Sequence, residues 1–331
     1  MAIEIGTVNA DTSVKLGTTV INTGYIGFNK FFGNEIPILD IFPTAHHAFS
    51  LRKLRSAYTG ACLRIRRTTT TPSVTTTTVD LSFDSNNTIS LNSTITYVSG
   101  TATTATNLGQ FCASIVNGYT NPDGVNTNQN IFVVTWFDQS GNGKNVTQAT
   151  AGNQPRIVAN GVLEVKNSKP AIRFLSASST NLFLTDTSMN INNLSQYIVT
   201  ALITINAFSL TSAFRALSNT WWLPASSTST TYINYNGTSS ITSGFVSQVN
   251  DIVNRVYSIV AGSGTATAYK NTTSIGTKAT ISLVSEHIAL GWSGNASAPN
   301  YVNGYIQESI TFQNQSNVTN IQSNIIRYYG L

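Results

Sequence analysis

From Ile131 to Phe312 the sequence is a succession of short runs rich in β-branched and aromatic residues, bounded by Gly, Pro, Asn or Ser. The clearest are Ile131–Phe137, Pro170–Leu175, Tyr197–Ile205, Arg255–Val260, Thr265–Lys270, His287–Trp292 and Val302–Phe312. Many short strands separated by turn signals, without long intervening helices, restrict the chain to a sandwich, jelly roll or barrel. Composition agrees. Charged residues make up 9% of the chain, against roughly 25% in ordinary soluble domains, and Thr, Ser and Asn take their place. Thr favours strands, while Ser and Asn favour turns and disfavour helix interiors. At 41% hydrophobic, the chain can still bury a full core.

Upstream of this region, Leu63 and Ile65 alternate with Arg64 and Arg66, the period of a strand with one buried face. A Thr-rich stretch, 68–79, contains Pro72 and reads as a loop or edge strand. Three helices are expected. The first follows Thr44, a candidate N-cap, with Ala48, Leu51, Leu54 and Tyr58 at helical spacing and Gly60 as its C-cap. His46 and His47 then stand at that helix start. The second covers about 107–116, and the third runs from Asn317 to Tyr328 and stops at Gly330. All three belong at the edges of the sandwich.

Residues 1–43 differ from the rest. Ile5-Gly6-Thr7-Val8-Asn9 is echoed by Leu16-Gly17-Thr18-Thr19-Val20-Ile21-Asn22 and by Ile26-Gly27-Phe28-Asn29. Such runs predict tiny strands joined by tight turns, too small to be stable alone. Tyr25, Phe28, Phe31 and Phe32 are the candidate attachment residues, and Ile36–Pro43 reads as an extended connector. The expected division is an attachment and oligomerisation segment, 1–43, followed by one β-sandwich domain, 44–331.

The formal charge of +5 is concentrated in one place. Arg52, Lys53, Arg55, Arg64, Arg66 and Arg67 lie together without an acid, and the remaining 12 Lys and Arg face 13 Asp and Glu. The segment can contact an anion, or it can be the solvated face of one helix and one strand. The second reading is preferred, and neither nucleic-acid binding nor membrane insertion is expected. Two cysteines, Cys62 and Cys112, do not make a disulfide framework. The opening MAIEIGTVNADTSVK lacks the basic start and apolar run of a secretory leader, so synthesis in a cytoplasm is expected. With His46 and His47 adjacent and His287 far away, no metal-ligand spacing and no cofactor motif appears.

Three blocks resemble a known family. They are Ala48 to Arg67 (AFSLRKLRSAYTGACLRIRR), Val134 to Gln148 (VTWFDQSGNGKNVTQ) continuing to Asn153-Gln-Pro-Arg-Ile157, and Gly304-Tyr-Ile-Gln-Glu-Ser-Ile310 before a terminal helix. Together they resemble the catalytic domain of the fungal α-L-arabinofuranosidase B family over about 46–331. The resemblance implies a concanavalin-A-like sandwich. It also implies a Glu nucleophile on a mid-domain strand and an Asp acid/base after a glycine-rich strand near the C-terminus. Residues 197–249 contain no Asp or Glu, and Ser293 in Leu290-Gly-Trp-Ser-Gly-Asn295 stands about where the acid belongs. The family's adjacent cysteine pair is missing too. Within the second block, Trp136 reads as core and Asp138 as a turn carboxylate with Gly141 and Gly143 supplying positive φ.

The resulting expectation is an all-β, concanavalin-A-like β-sandwich (jelly roll) that is not an enzyme. Similar domains recur in bacteriophage structural proteins whose N-terminal segments the present one resembles. The chain is therefore expected to be a virion protein, a head-fibre, capsid-decoration or tail-fibre subunit. Its expected partners are copies of itself, as a homotrimer, and phage capsid or tail proteins. A host-surface glycan is a further candidate partner, with Trp221, Trp222, Tyr232 and Tyr235 as the carbohydrate-binding residues. The alternative is an active glycoside hydrolase of the arabinofuranosidase type.

Overall fold

The computed structural model describes residues 36–69, 74–185, 188, 194–202, 254–262, 265–279, 287–292, 301–313 and 317–331, together with the strand backbone at 14–16, 19–21, 24–26, 29–32, 209–216, 219–227, 230–234 and 245–247. Every strand pairing among these residues is antiparallel.

The longer sheet runs, in spatial order, through Ile95–Gly100, Thr75–Leu81, Leu63–Thr69, Ile131–Trp136, Val146–Thr147, Leu182–Thr185, His287–Leu290, Ser209–Ala216, Asn219–Ser227, Thr230–Asn234 and Phe245–Ser247. The shorter sheet contains Ala45–Ser50, Gly304–Gln313, Leu194–Leu202, Arg255–Gly262, Thr265–Lys270 and Thr273–Ala279. Arg156–Ala159 pairs with a strand of the longer sheet, and Ile172–Phe174 pairs with both Arg156–Ala159 and the shorter sheet, so the two ladders join along one side.

Alternation decides what lies between the sheets. Leu63, Ile65, Val133, Leu182, Ile288 and Leu290 from the longer sheet share one core with Phe49, Ile198, Tyr257, Ile259 and Ile306 from the shorter. Trp136 is fully buried there, its ring centroid 6.0 Å from that of Phe49. The opposite face of the shorter sheet is also apolar, through Ala48, Tyr197, Val199, Val256, Ile310 and Phe312. The terminal helix Val318–Tyr329 covers it, inserting Ile321, Ile325 and Tyr329, and ends at Gly330 in the left-handed conformation (φ 64°). Cys62 and Cys112 are free and buried. Burial pushes both thiols up, Cys112 to about 12, so neither is a reactive thiolate near neutral pH.

Two local expectations are corrected. Residues 45–50 form a strand, not the start of a helix, and His46 and His47 lie on it. The helical spacing of Ala48, Leu51 and Leu54 does bury all three, but on a strand and the irregular segment after it, in two different cores. Ladder bonds to Gly304–Gln313 outcompete local helix propensity here. Residues 36–43 are not a fully extended connector, because Ile38–Ile41 forms one helical turn after Pro37. Ile38, Leu39 and Phe42 are buried under the terminal helix, and Leu39 N donates to Leu54 O at 2.8 Å. The sandwich's own core therefore begins before residue 43.

The helix is also pinned by charge. Arg52 Nε and Nη2 reach Glu308 Oε2 and Oε1 at 2.8 and 3.0 Å, a bidentate pair. Ser50 Oγ donates to the same carboxylate at 2.7 Å, Tyr329 OH lies 3.3 Å from it, and the guanidinium stacks 4.4 Å from the Tyr328 ring centroid. Burial alone would lower the Arg52 pKa, but Glu308 outweighs it and holds the group above its usual value.

Two outcomes follow from this packing. Glu308→Gln leaves Arg52 buried without its counter-charge, and a loss of about 3–5 kcal/mol is expected in denaturant unfolding. A truncation ending at residue 43 removes Ile38, Leu39 and Phe42, each contributing about 1.5–3 kcal/mol of burial. Its melting temperature should fall well below that of a truncation ending at residue 35.

Candidate functional site

The strands Leu182–Thr185 and His287–Leu290 lie side by side with Phe183 opposite Ala289. Period two sends Leu182 and Leu290 into the core and leaves Phe183 half-buried on the outer face of the longer sheet. The chain then turns at Gly291, whose φ is +77° and whose Cβ, were there one, would lie 2.1 Å from Phe174 Cδ1. Glycine is required on both counts. The turn carries Trp292 into an isolated bridge with Tyr301, closed by Val302 N donating to Gly291 O at 3.0 Å.

Three rings meet as a result. Trp292 and Tyr301 stack at 6.5 Å with planes 16° apart, and Phe183 meets Trp292 edge-on at 5.8 Å. All three are half-buried, the exposure at which an aromatic can still offer a surface to a ligand while its neighbours hold it still. Sequence reading missed this group because Phe183 lies more than a hundred residues before Trp292 and Tyr301. The Gly291-Trp292 pair was the available signal.

The backbone register extends the site. Residues directly opposite across an antiparallel ladder share a face. One such row reads Arg64, Thr135, Thr147, Phe183, Ala289, Ala213, Trp222, Asn234. The strand Asn219–Ser227 thus places Trp222, one of the sequence-derived candidates, in the row of Phe183. Trp221 pairs with Phe214, and Tyr232 with Ala225. The side chains of Trp221, Trp222 and Tyr232 lie outside the described residues, as does Tyr235 altogether. The same holds for the side chains of Tyr25, Phe31 and Phe32, and for Phe28.

The basic segment does not survive as a patch. Arg52 is buried against Glu308, Arg64 pairs with Asp80 at 2.8 Å and Arg67 with Asp123 at 3.0 Å. Arg55 donates to the carbonyls of Pro43 and Ser140. Burial alone would raise the Asp123 carboxyl, yet hydrogen bonds from Thr103, Thr104 and Arg67 hold it below its ordinary value. Asp138 is a turn carboxylate in its geometry. It accepts from Ala48 N, Ser140 N, Ser140 Oγ and Lys144 N at 2.6–3.0 Å and is 5% exposed. His47 is buried, with its Nε2 2.9 Å from Thr311 Oγ1.

No protein-family model and no curated protein sequence matches the chain. Solved structures do. An arabinofuranosidase complexed with arabinofuranosyl-α-1,2-xylobiose superposes with a TM-score of 0.52 at 16% identity, covering 87% of this chain and 64% of its own. A variant of a family 54 α-L-arabinofuranosidase soaked with 4-nitrophenyl α-L-arabinofuranoside gives 0.50 at 15% identity, covering 88% and 63%. The chain thus spans under two thirds of the enzymes it matches. Neither of these is a virion protein, and the expected phage placement finds no support in them. The expectation of a chain without enzymatic function is corrected by the same finding, since the shared architecture is a glycoside-hydrolase fold. That expectation rested on locating acids by sequence spacing, and 293–300 and 203–208 lie outside the described residues. The fold is a β-sandwich similar to that of these arabinofuranosidases, compatible with a lectin-like domain.

Gly291→Ala should lower the melting temperature by several degrees, because it strains the turn and displaces Phe174. Trp292→Ala should leave melting within a few degrees while removing whatever ligand this face binds, read by intrinsic fluorescence titration.

Proposed function

We propose that the chain is a glycoside hydrolase of the arabinofuranosidase type, directed at arabinofuranosyl groups through the aromatic face around Trp292. The likeness of fold over 87% of the chain carries the reading. The half-buried rings of Trp292, Tyr301 and Phe183 support it, because sugar sites combine aromatic faces with directed polar groups.

Hydrolysis of this type uses two carboxylates flanking the glycosidic bond, one as nucleophile or base and one as acid. Each of the described carboxylates already holds a structural contact. Asp80, Glu164 and Glu308 pair with arginines. Asp40 accepts from Ser56, and Asp84 from Asn86 N and Thr88 N. Asp123 and Asp138 are engaged as above. The remaining acids of the sandwich sequence are Asp186, Asp251 and Glu286, outside the described residues, and they are the ones to substitute.

The test is release of nitrophenolate from 4-nitrophenyl α-L-arabinofuranoside by the purified chain. Turnover is expected. It should drop at least a thousandfold, about 4 kcal/mol in the barrier, in one or two of Asp186→Asn, Asp251→Asn and Glu286→Gln, with unchanged melting. No release by the unsubstituted chain from acid to neutral pH would overturn the proposal.

A further inference from the structure

Among the described residues, Arg66 is a cation without a carboxylate partner on the outer face of the longer sheet. It points outward between buried Ile65 and Arg67 on Leu63–Thr69. Its neighbours on that face have carboxylate partners: Asp80 for Arg64, and Glu164 for Arg156 at 2.6 Å. Arg66 has only neutral ones among the described residues. Nε donates to Gln154 Oε1 at 2.7 Å, Nη1 to Thr68 Oγ1, and Nη2 to Ala151 O at 3.3 Å. The guanidinium also stacks over Phe132, 5.1 Å from the ring centroid. A guanidinium has five N–H donors in a planar fork, so these contacts fix its orientation and leave two donors open. Half-burial lowers its pKa, because desolvation disfavours the charged form.

The register makes this more than a lone cation. Arg66 pairs with Phe132, Phe132 with Arg156, and Arg156 with Arg173. Like charges directly opposite in a ladder are ordinarily disfavoured, yet Arg156 and Arg173 face each other. Arg173 is satisfied by Phe174 O, Gly304 O and Asn303 Oδ1, and not by an acid. Among the described residues, the three arginines of this row therefore have one carboxylate as an ion-pair partner, Glu164. Such a breach of local sheet rules is expected where a ligand supplies the missing charge. From Arg64, two residues along the strand from Arg66, the row Thr135, Thr147, Phe183 leads to the aromatic group, and Thr147 is exposed. Three strand spacings make this floor roughly 14 Å long, short and hydroxyl-bearing, with a cationic end and an aromatic end.

We propose that this outer face takes an acidic oligosaccharide, with a uronate-type carboxylate received by the open edge of the Arg66 guanidinium and uncharged sugar units lying toward Trp292, Tyr301 and Phe183. The planar fork matches a carboxylate in a way a lysine would not, and the far end suits a sugar ring. The inference rests on the glycan reading of the aromatic face and narrows its substrate class to decorations on a uronate-containing chain.

Calorimetric titration with two probes, trigalacturonate and arabinotriose, tests it. The acidic probe should bind more tightly, and its affinity should fall as salt is raised. Arg66→Gln should weaken the acidic probe about tenfold, equivalent to about 1.4 kcal/mol, and leave arabinotriose unchanged. Arg66→Lys, which keeps the charge but not the fork, should fall between, and it carries the test if the glutamine variant does not fold. Equal binding of both probes, or an Arg66→Gln variant that keeps the acidic preference, overturns the carboxylate assignment and leaves the glycan reading standing. Binding of neither probe overturns both.

Discussion

The sandwich depends on one polar turn gripping one strand. Asp138 accepts from Ala48 N at 2.8 Å, while Gln139 N donates to Ala48 O at 2.8 Å. The Gln139 side chain donates to Ser50 O and Arg52 O and accepts from Leu54 N, and Asn142 donates to Ala45 O and His46 O. Strand Ala45–Ser50 has Gly304–Gln313 on one side. On its other side these side chains stand in for a neighbouring strand, satisfying buried backbone groups that would otherwise each cost about 1–3 kcal/mol. The turn itself belongs to the longer sheet, so the same bonds tie the two sheets together at one end.

The three sequence blocks that carry the family resemblance are the partners in this arrangement. The block around Asp138 holds the block around Ala48, and Glu308 from the third holds Arg52 from the first. Asp138, Arg52 and Glu308 are engaged in holding the blocks together and report how the chain folds, whereas the proposed recognition uses other groups on the outer face of the longer sheet, Arg66 of the first block among them.

Legibility followed the range of the forces involved. The alternation of Leu63 and Ile65 with Arg64 and Arg66 and the apolar runs from Ile131 onward gave strands close to those observed, and Thr265–Lys270 matches residue for residue. The Thr-rich stretch read as a loop or edge strand instead contains most of Thr75–Leu81, which has a ladder partner on each side. The terminal helix and its Gly330 stop were equally local signals. Residues 44–58 misled because their helical spacing competes with a ladder partner from the far end of the chain. The basic segment read as the solvated face of one helix and one strand because the acids that bury Arg52 and Arg67, Glu308 and Asp123, are distant in the sequence. Beyond the Gly291-Trp292 pair, the aromatic group is set by the topology that brings Phe183 to Trp292 and Tyr301.

In this account the inner faces and the cover of the terminal helix supply stability, which frees the outer face of the longer sheet for recognition. That face carries half-buried rings at one end, a floor of hydroxyl and small side chains, and at the other an arginine with no carboxylate partner among the described residues. A crystal structure of the chain soaked with arabinotriose tests the claim most directly. Sugar density stacked against Trp292 and Tyr301 is the predicted result. Density confined to another surface, or none at saturating sugar, would contradict it.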